Sequence, residues 1–223
     1  MDDAPLDAAP LDAGLLDAGP FGTWLDGMQQ ALDGGAGTDV PCGTCTACCT
    51  ASQFVHIGPD ETDTLARIPS ELLFPAPLVP RGQMLLGYDE RGHCPMLGDD
   101  GCTIYEHRPR TCRTYDCRVF AAAGIEPDDD LIGQRVERWR FTAAAPSERR
   151  RARAVTRAAA VLDALDDSLA DSPVPPSATQ RAVLAVELHG RFVGHDPVSG
   201  EPCDVTPTTT ELLAAVETWS PVR

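Results

Sequence analysis

Apolar residues in the last third of the chain keep a helical period. Val155, Ala158, Ala159, Leu162, Leu165 and Leu169 recur at three- and four-residue spacings, which places them on one face of a helix from about residue 147 to 170. Ser147 can cap its start. Pro173, Pro175 and Pro176 end it, because proline has no N–H to give a helix interior. Ser177 with Gln180 three residues on predicts a capping box and a second helix to about Gly190. Thr208 with Glu211 predicts a last helix carrying Leu212, Leu213 and Val216.

Upstream the pattern shortens. Phe54-Val55-His56-Ile57 reads as a strand. Pro59 at a first helical position, with Asp60 and Glu61 behind it, predicts a short helix to about Ile68. Residues 69–92 are broken by Pro and Gly and read as loop, with a strand around Met84-Leu85-Leu86. The first twenty residues repeat with a period of five: Pro5-Leu6-Asp7-Ala8, Pro10-Leu11-Asp12-Ala13, Leu15-Leu16-Asp17-Ala18. Neither helix nor strand has that period, so this stretch reads as a disordered acidic tail. Trp24 to Leu32 reads as a short helix, and Gly34-Gly35-Ala36-Gly37 as a linker. These elements predict an α+β, α-rich fold. Residues 1–38 form the tail, 39–145 a cysteine-rich domain with a short strand or two, and 146–223 a helical region packed on it.

Composition sharpens the picture. Hydrophobic residues make up 43% of 223, but aromatics only 5%, so the core must rest on Leu, Val and Ala. Eighteen basic residues, all Arg, face 34 acidic ones, for a net charge of −16. A surface this acidic repels phosphate backbones and argues against nucleic-acid binding. No apolar run reaches the roughly 18–20 residues of a membrane helix. The N-terminus has no basic region followed by an apolar one, so the expectation is a cytoplasmic protein without a signal peptide. In that compartment, nine Cys read as metal ligands or catalytic thiols before disulfides.

Eight of the nine cysteines fall into two groups. Cys42, Cys45, Cys48 and Cys49 lie within eight residues, with the C-x2-C spacing that turns two sulfurs toward one ion. Cys48 and Cys49 are adjacent; in an extended segment their side chains diverge, which makes the doublet a branch point between two sites. Cys94, Cys102, Cys112 and Cys117 form the second group. Eight thiolates match two tetrahedral sites, or one four-iron cluster plus one zinc. Arg108, Arg110, Arg113 and Arg118 surround the second group; they either favour thiolate or pair with nearby acids. His93 and His107 sit beside candidate ligands, as flanking residues, and Tyr105 and Tyr115 pack nearby. Cys203 stands alone and is not expected to ligate. A thioredoxin-like motif needs a strand before its C-x2-C, which the Gly-rich approach to Cys42 does not supply.

At these residues the chain resembles the YkgJ-type cysteine-cluster proteins, described as chelating zinc or iron. The resemblance rests on the C-x2-C-x2-C-C stretch at Cys42–Cys49 and on a second stretch running from Cys94-Pro95-Met96-Leu97 through Cys102-Thr103-Ile104-Tyr105-Glu106-His107-Arg108-Pro109-Arg110-Thr111-Cys112-Arg113. It spans about residues 40–118, roughly a third of the chain. It implies metal chelation by Cys42, Cys45, Cys48, Cys49, Cys94, Cys102 and Cys112, with Cys117 less regular in the family. Flagellin N-methylases resemble the same domain. The leading expectation is therefore a metal-binding protein holding zinc or iron, or an iron–sulfur cluster, with a metal ion as its partner. The alternative is an iron–sulfur redox enzyme or methyl-transfer relative, although no Gly-rich cofactor loop is present. The doublet also predicts a metal site with ligands from both groups, supported by Arg108 and Arg113. The run Arg149, Arg150, Arg151, Arg153 and Arg157 reads as a solvated helix face opposed to its dipole.

Overall fold

Residues expected in a disordered tail instead open the fold. The computed structural model describes residues 14–35, 37–38, 40–77 and 81–219, so most of the period-five repeat lies outside the described residues. Within them, strand β1 (Leu16–Pro20) runs straight into helix α1 (Phe21–Leu32). Ala18, Phe21, Trp24, Leu25, Met28 and Ala31 are all buried, which gives this acidic stretch an apolar face to fold on.

The chain divides into two units. One holds residues 30–116; the other holds the described residues up to Gln29 and those from Cys117 onward. In the first, β2 (Val55–Ile57), β3 (Leu73–Pro75) and β4 (Met84–Leu86) make an antiparallel sheet in the order β2–β4–β3. Val55 pairs with Leu86 on one side of β4 and Leu73 with Leu86 on the other. Helix α2 (Thr62–Leu65) is shorter than Pro59 implied, and β3 lies in the stretch expected as loop. A two-residue pair, β5 (Leu97–Gly98) and β6 (Gly101–Cys102), precedes helix α3 (Arg110–Thr114). Ile57, Ile68, Leu86, Met96 and Ile104 form a small buried core, against which Cys94 and Cys102 pack. Polar anchors bind α3 to the rest: the Thr111 hydroxyl donates to the His56 carbonyl at 2.7 Å, and Arg110 pairs with Asp60 at 2.5 Å. The buried Glu61 carboxylate accepts the Arg110 amide at 3.1 Å, and the Thr64 hydroxyl donates to the His107 carbonyl at 2.8 Å.

The second unit adds α4 (Arg118–Ala123), α5 (Asp130–Val136), β7 (Trp139–Thr142), α6 (Pro146–Ser168), α7 (Ala178–Leu188), β8 (Val193–His195), β9 (Pro202–Asp204) and α8 (Thr209–Glu217). β7 pairs with β1 in parallel, Leu16 opposite Trp139 and Pro20 opposite Thr142, with an irregularity between Asp17 and Gly19. Phe21, Trp24 and Phe141 cluster beside it with ring centroids 5.5, 5.2 and 4.8 Å apart. The helices meet through small side chains. Ala154, Ala158 and Ala159 of α6, Ala178, Ala182 and Ala185 of α7, and Ala122 and Ala123 of α4 are all buried.

Helix ends follow the sequence in part. Thr208 and Glu211 form the expected capping box, the Thr208 amide donating to Glu211 at 2.8 Å. Ser177 makes no side-chain cap; Asp128 accepts the Ala178 amide instead, at 3.3 Å. α6 starts at Pro146 rather than after Ser147, and Glu148 accepts the Ala145 amide at 3.1 Å, placing negative charge at the positive end of the dipole. The arginine run is an ion-paired seam rather than a solvated face. Arg150, Arg153 and Arg157 gather on Asp204 at 3.3, 3.6 and 4.0 Å, and Arg151 pairs with Asp26. Among the described residues, no helix is long and apolar enough to cross a membrane.

Candidate metal centre

The first cysteine group is built from two tight turns. The Cys45 amide donates to the Cys42 carbonyl at 3.1 Å, with Gly43 at a positive φ of 58° between them. Ala47–Cys49 then forms a single 3-10 turn, closed by the Cys49 amide on the Thr46 carbonyl at 2.8 Å. The doublet is therefore helical, not extended, and its side chains do not point to opposite sides. In a turn of three residues, neighbours stand about 120° apart, and here the Cys48 and Cys49 side chains hydrogen-bond each other.

The second group is carried by the loops around the small core. The Leu97 amide donates to the Cys94 carbonyl at 2.9 Å, and Cys102 pairs with Leu97 across β5–β6. Cys112 sits in the middle of α3. Two backbone bonds tie the groups together. The Cys94 amide donates to the Cys49 carbonyl at 2.7 Å, and the Ser52 amide to the Gly92 carbonyl at 3.0 Å.

Electrostatics shows which thiols share a neighbourhood. The Cys94 thiol is raised above its ordinary value chiefly by burial, with further contributions from Cys102 and Cys48. The Cys112 thiol is pushed up to about 12, first by burial and then by the charges of Cys48, Cys94 and Cys102. The Cys48 thiol is raised most, first by its hydrogen bond with Cys49 and then by burial. Cys48 and Cys112 nonetheless keep solvent-accessible surface. Protein mass around each thiol disfavours thiolate while one side stays open to an incoming ion. Thus Cys94 and Cys112 each feel the charges of Cys48 and Cys102, one cysteine from the first group and one from their own. Among the described residues, no three His, Cys, Asp or Glu side chains stand in an arrangement that could hold a metal ion. As a donor set, four cysteines suit zinc or iron, which favour soft sulfur ligands.

Residues 41–127, about two-fifths of the chain, match the model of a family described as "CxxCxxCC: Putative zinc- or iron-chelating domain". The cysteine-rich segment is similar to CxxCxxCC domains. No curated protein and no solved structure matches the chain.

Within this segment the arginines act at one remove from sulfur. The Arg108 guanidinium lies over the Tyr105 ring, 4.0 Å from its centroid, and donates to the Tyr105 carbonyl at 2.9 Å. It lowers the Cys112 thiol, but burial and the neighbouring cysteines outweigh it, so positive charge does not set the protonation of this group. Arg113 donates to the Arg108 carbonyl at 3.0 Å, and its own carbonyl accepts the Thr38 amide at 2.8 Å. Arg110 is committed to Asp60. Cys117 and Arg118 fall in the other unit, where Trp139 Nε1 donates to the Cys117 sulfur at 3.3 Å. Cys203 lies on β9.

Sequence reasoning missed three residues of the cysteine-rich segment. Asp89 Oδ1 accepts the amides of Arg91 and His93, both at 2.9 Å, and Oδ2 holds the Arg91 side chain at 3.1 Å. The His93 amide is the foremost cause that holds this carboxyl below the usual carboxylate range. Gly92 has φ 81°, and Ser52, packed against it, has φ 52°. The Asp-Glu-Arg-Gly run was a legible turn signal; the strained serine had none.

Proposed function

We propose that this chain is a metal-binding protein in which Cys48, Cys94, Cys102 and Cys112 hold one ion, with Cys42, Cys45 and Cys49 at its margin. Binding of zinc or iron is what the family its cysteine-rich segment resembles is described as doing. The observation that carries the finer assignment is the Cys94 to Cys49 backbone bond that joins the two cysteine groups, and the charges of Cys48 and Cys102 acting on both Cys94 and Cys112 agree with it. Four thiols crowded together resist ionising one by one. A divalent cation reverses that balance, because each thiolate then gains a positive partner. Zinc is the favoured occupant. It needs no open position or substrate pocket, and it would draw four gathered sulfurs into a closed tetrahedron.

Anaerobic purification followed by elemental analysis and labile-sulfide assay tests this. One zinc per chain, colourless and lost in Cys48→Ser, is the expected result. A brown protein with equimolar iron and sulfide would replace zinc by a cluster on the same ligands and favour the redox alternative. Metal retained in full by Cys48→Ser and Cys112→Ser would refute the assignment of these ligands.

A further inference from the structure

The loop that delivers Cys94 is held by its own hydrogen bonds. From Asp89 to His93 the chain turns through two reciprocal backbone bonds: the Asp89 amide donates to the His93 carbonyl at 2.8 Å and the Gly92 amide to the Asp89 carbonyl at 2.9 Å. The Asp89 carboxylate fills the turn, accepting the Arg91 and His93 amides. The turn then docks on the first cysteine group through Ser52 to Gly92 and Cys94 to Cys49. This docking stores strain. Among the described residues, Ser52 is the one non-glycine at positive φ, a strained conformation that persists where surrounding contacts over-determine it. The fit also leaves no room: a Cβ added at Gly92 would stand 2.1 Å from Ser52 Oγ.

We propose that Asp89, Gly92 and Ser52 form a positioning clasp that holds the Cys94 main chain against the Cys48–Cys49 turn, so that the two cysteine groups stay together when an ion arrives. This rests on the metal-binding reading above and adds residues to it that no cysteine pattern points to. The clasp touches no sulfur itself. It acts through the Cys94 and Cys49 main chain, so removing it leaves all ligands present and loosens only their relation. The contribution is to affinity: a Cys94 main chain already docked on the Cys49 turn spares the ion part of the entropy of bringing the two groups together.

The test measures Zn²⁺ affinity of the full chain by competition with a chromophoric chelator, and the Co²⁺-loaded absorbance as a report of sulfur coordination. Asp89→Ala should bind zinc about 10–100-fold more weakly, the range for supporting residues around a metal. Its cobalt spectrum at saturation should match the wild type, since the ligands are unchanged. Asp89→Asn keeps an oxygen that accepts the same two amides and should restore affinity to within about threefold. Gly92→Ala offers an independent route to the same loss. Wild-type affinity in both Asp89→Ala and Gly92→Ala would overturn the clasp. So would an equal loss in Asp89→Asn, which would make negative charge, not loop geometry, the cause. A wild-type chain that binds neither Zn²⁺ nor Co²⁺ would instead remove the metal-binding reading itself.

Discussion

Single residues in this protein differ sharply in what their loss should do. Cys203 lies on β9 in the other unit, so Cys203→Ser should leave bound zinc unchanged, whereas Cys94→Ser should lose it; metal counting per chain separates the two. Arg113→Gln removes the donor to the Arg108 carbonyl and should weaken zinc retention by a few-fold without unfolding the domain, read by the same chelator competition. His189 makes a pH-dependent contribution elsewhere. It is buried against the Val186 carbonyl, and burial first, then Arg151, holds its imidazole below the ordinary 6.5. The unfolded chain therefore takes up this proton more readily than the folded one. The stability it contributes is complete above about pH 6.5 and is lost as pH falls through the lowered value. Denaturant midpoints at pH 7.5 and 5.5 should show a loss on acidification that His189→Gln reduces. The cysteine spacing made the ligand candidates legible, and the Asp89 turn is local enough to read; the Ser52 contact was not, because it depends on two loops meeting forty residues apart.

At the scale of elements, the alanine faces decide packing. Leu162 of α6 is 1% exposed, and Leu162→Ala should cost about 2–5 kcal/mol. Ala158→Leu should also destabilise, by about 1–3 kcal/mol, because no space separates helices that meet through small residues. Thermal or denaturant unfolding followed by tryptophan emission checks both. The period of α6 and the cap of α8 were readable because each is local, set by residues three or four apart. β1 was not. Its partner β7 lies far along the chain, and acidic, repetitive flanks hid a strand that needs that partner to exist. The Ser177 cap did not form, and a distant acid, Asp128, holds the first amide of the helix, Ala178.

The whole molecule divides its chromophores cleanly. Trp24, Trp139 and Trp219 belong to one unit, and Tyr88, Tyr105 and Tyr115 to the other. Among the described residues, the tyrosine unit has a small buried cluster of five apolar residues beside its cysteines, and bound metal would add folding free energy to it. Chelation should therefore disturb tyrosine near-ultraviolet dichroism and leave tryptophan emission close to its starting value. An equal change in both signals would show that metal holds the entire chain together.

The β1–β7 pairing also sets an order of events during synthesis. β1 leaves the ribosome first, and its partner strand follows roughly 120 residues later, which at about 5–20 residues per second is a wait of some 6–25 s. The whole cysteine-rich unit is made in that interval. It can collapse and capture its ion while the strand and helix ahead of it still have no partner. Metal supply during translation would then decide whether the nascent chain carries one unfinished unit or two, and starvation for that metal should appear first as ribosome-associated aggregation rather than as loss of finished protein.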